Sequence, residues 1–86
     1  MGIKDTKINE QIYQSFNELW VDLEIGKDIY FVYNEVEYEI EYSEGMWTFY
    51  SDDIQVETFD NLENLLDYQL DGMPMREIWM EFKEPE

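Results

Sequence analysis

The stretch Val36-Glu37-Tyr38-Glu39-Ile40-Glu41-Tyr42 decides the fold, because apolar and acidic side chains alternate strictly along it. An alternation with a period of two predicts a β-strand whose two faces meet different surroundings. One face would pack on a core through its apolar side chains. The other face would meet water and carry a row of glutamates, which are Glu35, Glu37, Glu39 and Glu41.

Three further runs around this strand are rich in β-branched and aromatic residues, and they cover residues 28–33, 46–50 and 54–58. Such runs are typical of strands when turn residues separate them. Turn residues occupy positions 34–35, 43–45 and 51–53. The sequence therefore predicts an antiparallel meander of three or four strands.

Both ends of the chain show helical periodicity instead. Over residues 5–25, apolar side chains recur every three or four positions: Ile8, Ile12, Phe16, Leu19, Trp20 and Leu23. Asp5 or Thr6 suits the N-cap, and Gly26 suits the left-handed end. Apolar and acidic residues alternate over 21–25, which leaves an extended last turn as an alternative, so we end the predicted helix at about Leu23.

The C-terminal part predicts two short helices. Asp60 with Glu63 forms a capping box before the first, which carries the apolar residues Leu62, Leu65 and Leu66. Asp71-Gly72 then predicts a turn, and Pro74 suits the first position of the last helix. One face of that helix would consist of Met75, Ile78, Trp79 and Phe82. The fold class is therefore α+β, one domain over residues 1–86, with an N-terminal helix, the meander, and two short C-terminal helices packed on one sheet face.

Composition excludes several classes of function. The chain has no His and no Cys, so His-based catalysis, disulfides and Cys/His zinc sites are absent. Aromatic residues make up 17% of the chain, enough to build a core rather than a disordered acidic tail. No apolar run approaches the roughly 20 residues of a membrane span, and no basic segment followed by an apolar one stands at the start of the sequence, as a leader would require. We expect a cytoplasmic protein that is not an enzyme, has no catalytic residue and uses no cofactor.

The charge indicates the class of partner. The chain has 22 Asp and Glu against 5 Lys and Arg, which gives a net charge of −17. Such a surface repels nucleic acids and membranes and attracts basic proteins. Aromatic side chains can stack on bases, but so few basic residues cannot follow a phosphate backbone. We therefore expect a basic protein as partner, and no direct binding to nucleic acid or membrane.

The glutamate row is the candidate binding site. Alternate strand residues recur every ~6.6–6.8 Å, comparable to phosphates that rise ~3.4 Å per nucleotide before winding is counted. A rigid acidic row could then occupy a basic groove built for DNA or RNA. Other acids would border the row: Glu44, Asp52, Asp53 and Glu57. The alternative is a solvated face whose charges only discourage edge pairing and aggregation.

A metal site is not expected. Asp52-Asp53 and Asp60 with Glu63 offer oxygen ligands, but the chain has no twelve-residue calcium loop. Scattered carboxylates are common in so acidic a chain. Hydrolysis of a glycoside by paired carboxylates would need a substrate cleft that a domain of this size has little volume to form.

Residues 26–34 (GKDIYFVYN), with Tyr38-Glu39-Ile40, Leu70-Asp71-Gly72 and Arg76-Glu77-Ile78-Trp79, resemble small uncharacterised proteins of Gram-positive bacteria and their phages. The resemblance covers roughly the last two thirds of the chain. It implies a mobile-element context and carries no function to transfer. The glutamate row is where this chain departs from that pattern.

These observations predict a non-catalytic inhibitor that mimics nucleic acid. It would bind the nucleic-acid channel of a host defence nuclease, such as a CRISPR effector or a restriction enzyme, through carboxylates that replace phosphates. Two alternatives stay open. The chain could be an immunity protein that neutralises a basic toxin, or an adaptor or structural domain whose acidity serves only solubility.

Overall fold

A computed structural model describes residues 11–85 of the 86-residue chain. Its elements follow the chain in this order: α1 (Phe16–Glu24), β1 (Ile29–Tyr33), β2 (Val36–Ser43), β3 (Met46–Ser51), β4 (Ile54–Phe59), α2 (Leu62–Leu66), β5 (Gln69–Leu70), β6 (Met73–Pro74) and α3 (Met75–Ile78). A 3₁₀ turn, Trp79–Glu81, follows α3. The predicted α+β fold class is confirmed. Among the described residues, no helix has the length and apolar character needed to cross a membrane.

The main sheet is an antiparallel meander in the order β1-β2-β3-β4. All four predicted strands form, each within a residue or so of its predicted bounds. Two-residue turns join neighbouring strands, and in the first of them Asn34 and Glu35 have φ values of 55° and 69°. Positive φ at both central positions matches the twist of a two-stranded hairpin. The turns fix the register, so that Ile29 lies opposite Ile40 and Ile40 lies opposite Phe49.

The two edges of the sheet differ. Along β1, the Val32 N–H donates to the Lys83 carbonyl at 2.8 Å, and the Lys83 N–H donates to the Val32 carbonyl at 2.9 Å. Gln11 pairs with Lys83 on its far side. The C-terminal segment, residues 82–85, therefore covers part of the β1 edge through Lys83, whereas β4 forms the opposite edge.

The core lies between one sheet face and the helices. Phe31, Ile40 and Phe49 have no exposed surface on the sheet side, and on the helix side the same is true of Leu19, Leu23, Leu65, Leu66, Met75 and Phe82. The rings of Phe31 and Phe82 stack with centroids 3.9 Å apart. Burial of each such side chain stabilises the fold by about 1.5–3 kcal/mol. The C-terminal segment thus completes the core as well as covering β1.

The N-terminal helix begins later than predicted. Ser15 is its N-cap, and the Ser15 hydroxyl accepts from the Glu18 N–H at 3.3 Å. Residues 12–15, predicted as helical, are not helical, because the Ile12 N–H donates to the Phe82 carbonyl at 3.1 Å. The prediction of Ile8, Asp5 and Thr6 as helical or capping residues lies outside the described residues. The predicted end near Leu23 is confirmed within one residue.

The C-terminal elements form with different caps. Asn61, not Asp60, is the N-cap of α2, and its side chain accepts from the Asn64 N–H at 2.9 Å. Pro74 is the N-cap of α3 rather than its first helical residue. It also belongs to β6, which pairs with β5 across the predicted turn at Asp71-Gly72. The predicted last helix therefore divides into α3, the 3₁₀ turn and an extended end at Phe82.

Candidate acidic interface on the outer sheet face

The sheet face away from the helices carries three glutamates of β2, Glu37, Glu39 and Glu41. They alternate with Tyr38 and Ile40, of which Ile40 is fully buried in the core. β2 lies between β1 and β3, and their hydrogen-bonded ladders hold its backbone on both sides. The spacing of the three carboxylates along the strand is therefore fixed by the sheet.

A fourth acid joins them from the neighbouring strand. Asp28 directly precedes β1, and the register that pairs Ile29 with Ile40 places it opposite Glu41. The carboxylates of Asp28, Glu39 and Glu41 each have an oxygen within 4.8 Å of the other two. We call Asp28, Glu37, Glu39 and Glu41 the acidic face.

Two tyrosines lie beside the central glutamates. The Tyr50 hydroxyl on β3 donates to Glu41 Oε1 at 3.1 Å. Tyr30 on β1 lies opposite Glu39. Interaction with these carboxylates raises the pKa of both phenols above the usual value, since a nearby carboxylate disfavours ionisation. Carboxylates and phenols thus form a connected polar layer across three strands.

The structure separates the other predicted site residues. Glu35 lies in the left-handed turn before β2, so it does not continue the alternation of the strand. Asp52 and Asp53 occupy the turn between β3 and β4 at the same end of the sheet, and Glu44 lies in a turn at the opposite end. These four acids border the acidic face at its ends rather than extending its row.

Glu57 lies on the other side of the sheet. A β-bulge between the pairs of Phe49 and Tyr50 shifts the register of β4, so that Glu57 lies opposite the buried Phe49. Residues directly opposite each other on neighbouring strands share a face. Without the bulge, the register set by Ser51 and Ile54 would place Glu57 on the outer face, as expected from the sequence.

Most of the positive charge among the described residues is engaged elsewhere. Arg76 Nε donates to Asp67 Oδ1 at 2.8 Å, and Arg76 Nη2 donates to Glu63 Oε1 at 2.9 Å. Lys27 Nζ lies 3.7 Å from Asp22 Oδ2. Lys83 pairs with Val32 and borders the acidic face beyond β1. Within residues 11–85, no salt bridge involves a carboxylate of the acidic face, so a basic residue of the described chain does not neutralise these charges.

Asp28, Glu39 and Glu41 are the described residues whose placement best fits a hard divalent cation. They offer three oxygen ligands, whereas Ca²⁺ takes six to eight and Mg²⁺ demands a near-ideal octahedron. Asp28 is exposed and the two glutamates are partly exposed. We keep the prediction that the protein has no dedicated metal site, and we read the group as an anionic surface.

A cleft of about 190 Å³ borders the acidic face, since Asp28 and Tyr30 line it, and it brings Tyr13, Asp22 and Lys27 together. The Tyr13 hydroxyl donates to Asp22 Oδ2 at 2.9 Å, and burial, with this bond, raises the pKa of the phenol. Tyr13 is 5% exposed. The contact ties the start of the described chain to α1, and we assign it a structural role.

Sequence reasoning missed Asp28, Tyr30 and Tyr50 as members of the site. A signal for the first two was present, because a two-residue turn at Asn34-Glu35 implies that residues whose numbers sum to 69 face each other. That rule pairs Tyr30 with Glu39 and Asp28 with Glu41. The contact of Tyr50 with Glu41 is diagonal and requires side-chain positions.

The chain matches no protein-family model, and no match was found among curated proteins or solved structures. The resemblance to small proteins of Gram-positive bacteria and their phages therefore stays a prediction.

Proposed function

We propose that this protein is a non-catalytic inhibitor that occupies a basic, nucleic-acid-binding surface of another protein. The observation that carries the proposal is the acidic face, in which a central strand holds three carboxylates in one row and Asp28 adds a fourth. The target class is a host defence nuclease of the CRISPR or restriction type. The expected place of action is the cytoplasm of a bacterial host cell, and the resemblance implies a mobile-element context there.

The rigidity of the acidic face supports mimicry of nucleic acid rather than a surface whose charge serves only solubility. Nucleic-acid channels present Lys and Arg at fixed positions, and a competitor gains most when its own charges need no ordering on binding. The ladders of β1 and β3 fix the backbone of the row. The hydrogen bond from the Tyr50 hydroxyl restrains Glu41 further, and the Tyr30 side chain lies beside Glu39.

The charge distribution supports fast and selective association. The whole chain carries −17 charges, so a basic partner is steered towards it from a distance. Carboxylates of the acidic face can then pair with Arg in the bidentate geometry that phosphate also offers. Affinity should fall as salt increases, mainly through slower association.

A second candidate is an immunity protein for a basic toxin, and Tyr30 favours it. Tyr30 lies next to the row, opposite Glu39, and is 54% exposed. Tyrosine is enriched among the residues that dominate binding energy at protein interfaces. In that case a single cognate enzyme would be bound, and the loss of Tyr30 would matter more than the loss of charge.

The experiment is affinity capture from a Gram-positive bacterial lysate with two variants of equal net charge. The test variant combines Glu37→Gln, Glu39→Gln and Glu41→Gln. The control combines Glu24→Gln, Glu77→Gln and Glu81→Gln, three exposed acids on helical elements. Far-UV circular dichroism checks that both are folded, as expected from the low stability cost of removing surface charge.

We expect the parent and the control to retain a nucleic-acid-binding protein that the test variant loses, and duplex DNA to elute it. Equal retention by all three proteins would refute a role for the acidic face. Retention of one protein that DNA does not displace, but that Tyr30→Ala abolishes, would favour the immunity function.

A further inference from the structure

The edge of β4 is open. Among residues 11–85, no strand pairs with β4 on the side away from β3, whereas Lys83 pairs with β1 at the other edge. β4 has six residues, and its apolar side chains are exposed, Ile54 to 68% and Val56 to 42%. A strand with unpaired N–H and C=O groups is a template for a further strand.

The turn before β4 defines which backbone groups are available. Asp52 and Asp53 have φ values of 51° and 68°, the geometry of a two-residue hairpin turn that closes between Ser51 and Ile54. The N–H of Ile54 then points to β3, and strand alternation directs the N–H of Gln55 to the open edge. At least this group is available to an added strand.

We propose that β4 accepts an extended segment of the partner protein as an additional strand, and that this segment carries Lys or Arg alternating with apolar residues. The inference rests on the proposed function, because it specifies how a basic partner is held. The added strand would continue the sheet that carries the acidic face, so backbone pairing and charge pairing would act on one partner.

The charge in and next to β4 indicates which kind of segment would pair with it. Every charged residue in and next to β4 is acidic: Asp52, Asp53, Glu57 and Asp60. Opposite charges on facing strands stabilise pairing, and like charges directly opposite destabilise it. A strand with Lys or Arg at alternate positions meets these acids favourably, and its apolar residues favour the extended conformation that an added strand needs.

A second copy of this chain fits poorly for the same reason. Antiparallel pairing of β4 with itself about a two-fold axis between Val56 and Glu57 would place Asp53 opposite Asp60 of the other copy. It would also bring two copies of Glu57 together. Each copy carries a net charge of −17, which opposes the encounter itself.

Residues 1–10 are also a poor occupant on grounds of reach. Gln11 lies two positions beyond β1, and an added strand at β4 lies six strand spacings from it, about 29 Å at ~4.8 Å each. Ten residues span at most ~33–36 Å. That length leaves only one or two residues for pairing along β4.

The test uses a ten-residue synthetic peptide of alternating Lys and Val with blocked ends. A second peptide of identical sequence has N-methyl groups on two adjacent central residues, one lysine and one valine, which removes backbone donors on both edges of the strand and keeps the charge. Binding is measured by amide chemical shifts and hydrogen exchange of the ¹⁵N-labelled full chain. The protein variants are Gln55→Pro, which removes the outward N–H of an edge strand, and Gln55→Thr as its control.

We expect the unmodified peptide to slow exchange at Gln55 and to shift the amides of β4. Methylation of the peptide and Gln55→Pro should each weaken binding at least about tenfold, and Gln55→Thr should not. Equal binding of both peptides, or shifts confined to Glu37–Glu41 alone, would overturn the proposal. So would protection of Gln55 in the free protein, since a second copy or the first ten residues would then already cover the edge.

The two proposals fail in different ways. If the peptide does not use β4 but the Glu37, Glu39 and Glu41 variant still loses its nucleic-acid-binding partner, the edge inference is wrong and the proposed function stands. If the peptide pairs with β4 but that variant retains the same proteins as its control, the function assigned to the acidic face is wrong. If Gln55→Pro unfolds, the methylated peptide alone decides.

Discussion

The hydroxyl of Tyr50 on β3 donates to Glu41 Oε1 on β2 at 3.1 Å. On the other side of β2, Tyr30 lies opposite Glu39, and that carboxylate raises the pKa of its phenol. Glu39 and Glu41 of the central strand therefore each have a phenol beside them. An anionic row with its own hydrogen-bond donors keeps its geometry in the absence of a partner.

Glu41→Gln should lower the pKa of Tyr50 towards its ordinary value. The hydrogen bond to the carboxylate is the largest cause of the raised pKa, and an amide carries no charge to oppose ionisation of the phenol. The measurement is a ¹³C NMR titration of the labelled tyrosine ring. Glu44→Gln is the control, because it removes one charge at a turn outside this contact. An unchanged Tyr50 titration in the Glu41 variant would contradict the contact.

The meander could be predicted from the sequence because period-two alternation and turn residues act locally. Three of the four members of the acidic face, Glu37, Glu39 and Glu41, followed directly from that alternation. The placement of Glu57 did not follow, because one extra residue in β4 reverses which face its side chain meets. Nothing local in residues 54–59 marks the position of that bulge.

The start of α1 illustrates the other limit of local patterns. Ile12 and Phe16 lie four residues apart, as in a helix, yet the backbone of Ile12 pairs with Phe82 at the far end of the chain. A long-range hydrogen bond competes with helix extension, and Ser15 supplies a cap at the point where the helix begins. Sequence spacing alone could not indicate that competition.

Gly26→Ala should destabilise the fold more than Gly45→Ala does. Both glycines have positive φ, 79° and 82°, so an alanine at either position costs about 1–2 kcal/mol in backbone strain. At Gly26 a Cβ would also lie 2.9 Å from Cδ2 of Tyr42, whereas nothing lies within 4 Å at Gly45. We expect a loss of up to about 3 kcal/mol for Gly26→Ala in urea unfolding. Equal losses would show that the Tyr42 ring moves freely.

Tyr13→Phe should change how stability depends on alkaline pH. Burial raises the pKa of Tyr13 in the folded protein, so its stabilising contribution is complete below the unfolded pKa of about 10. As the pH rises further, the unfolded state ionises first, and stability falls by up to ~1.4 kcal/mol per pH unit. The variant should lose about 1 kcal/mol at pH 8 with the hydrogen bond to Asp22, and then decline less steeply above pH 10. Parallel pH profiles for parent and variant in urea unfolding would refute this.

Asp28→Asn should raise the melting temperature through relief of a short-range repulsion, and its salt dependence should distinguish it from a general loss of charge. The carboxylate of Asp28 lies within 4.8 Å of those of Glu39 and Glu41. The Debye length is ~30 Å at 0.01 M salt, ~8 Å at 0.15 M and ~3 Å at 1 M. Repulsion spread over the whole chain is therefore largely screened at 0.15 M, so the parent should become more stable between the first two conditions. The contact around Asp28 is shorter than 8 Å, so the gain from Asp28→Asn should persist at 0.15 M and disappear only near 1 M.

Glu77→Gln is the control, because Glu77 is an exposed acid on α3 and the substitution removes the same charge. The gain in melting temperature from Glu77→Gln should already be small at 0.15 M. Thermal melts of the three proteins at the three salt concentrations provide the measurement. A parent that is equally stable at 0.01 M and 0.15 M would contradict the general repulsion, and identical salt profiles for the two variants would contradict the close contact on the acidic face.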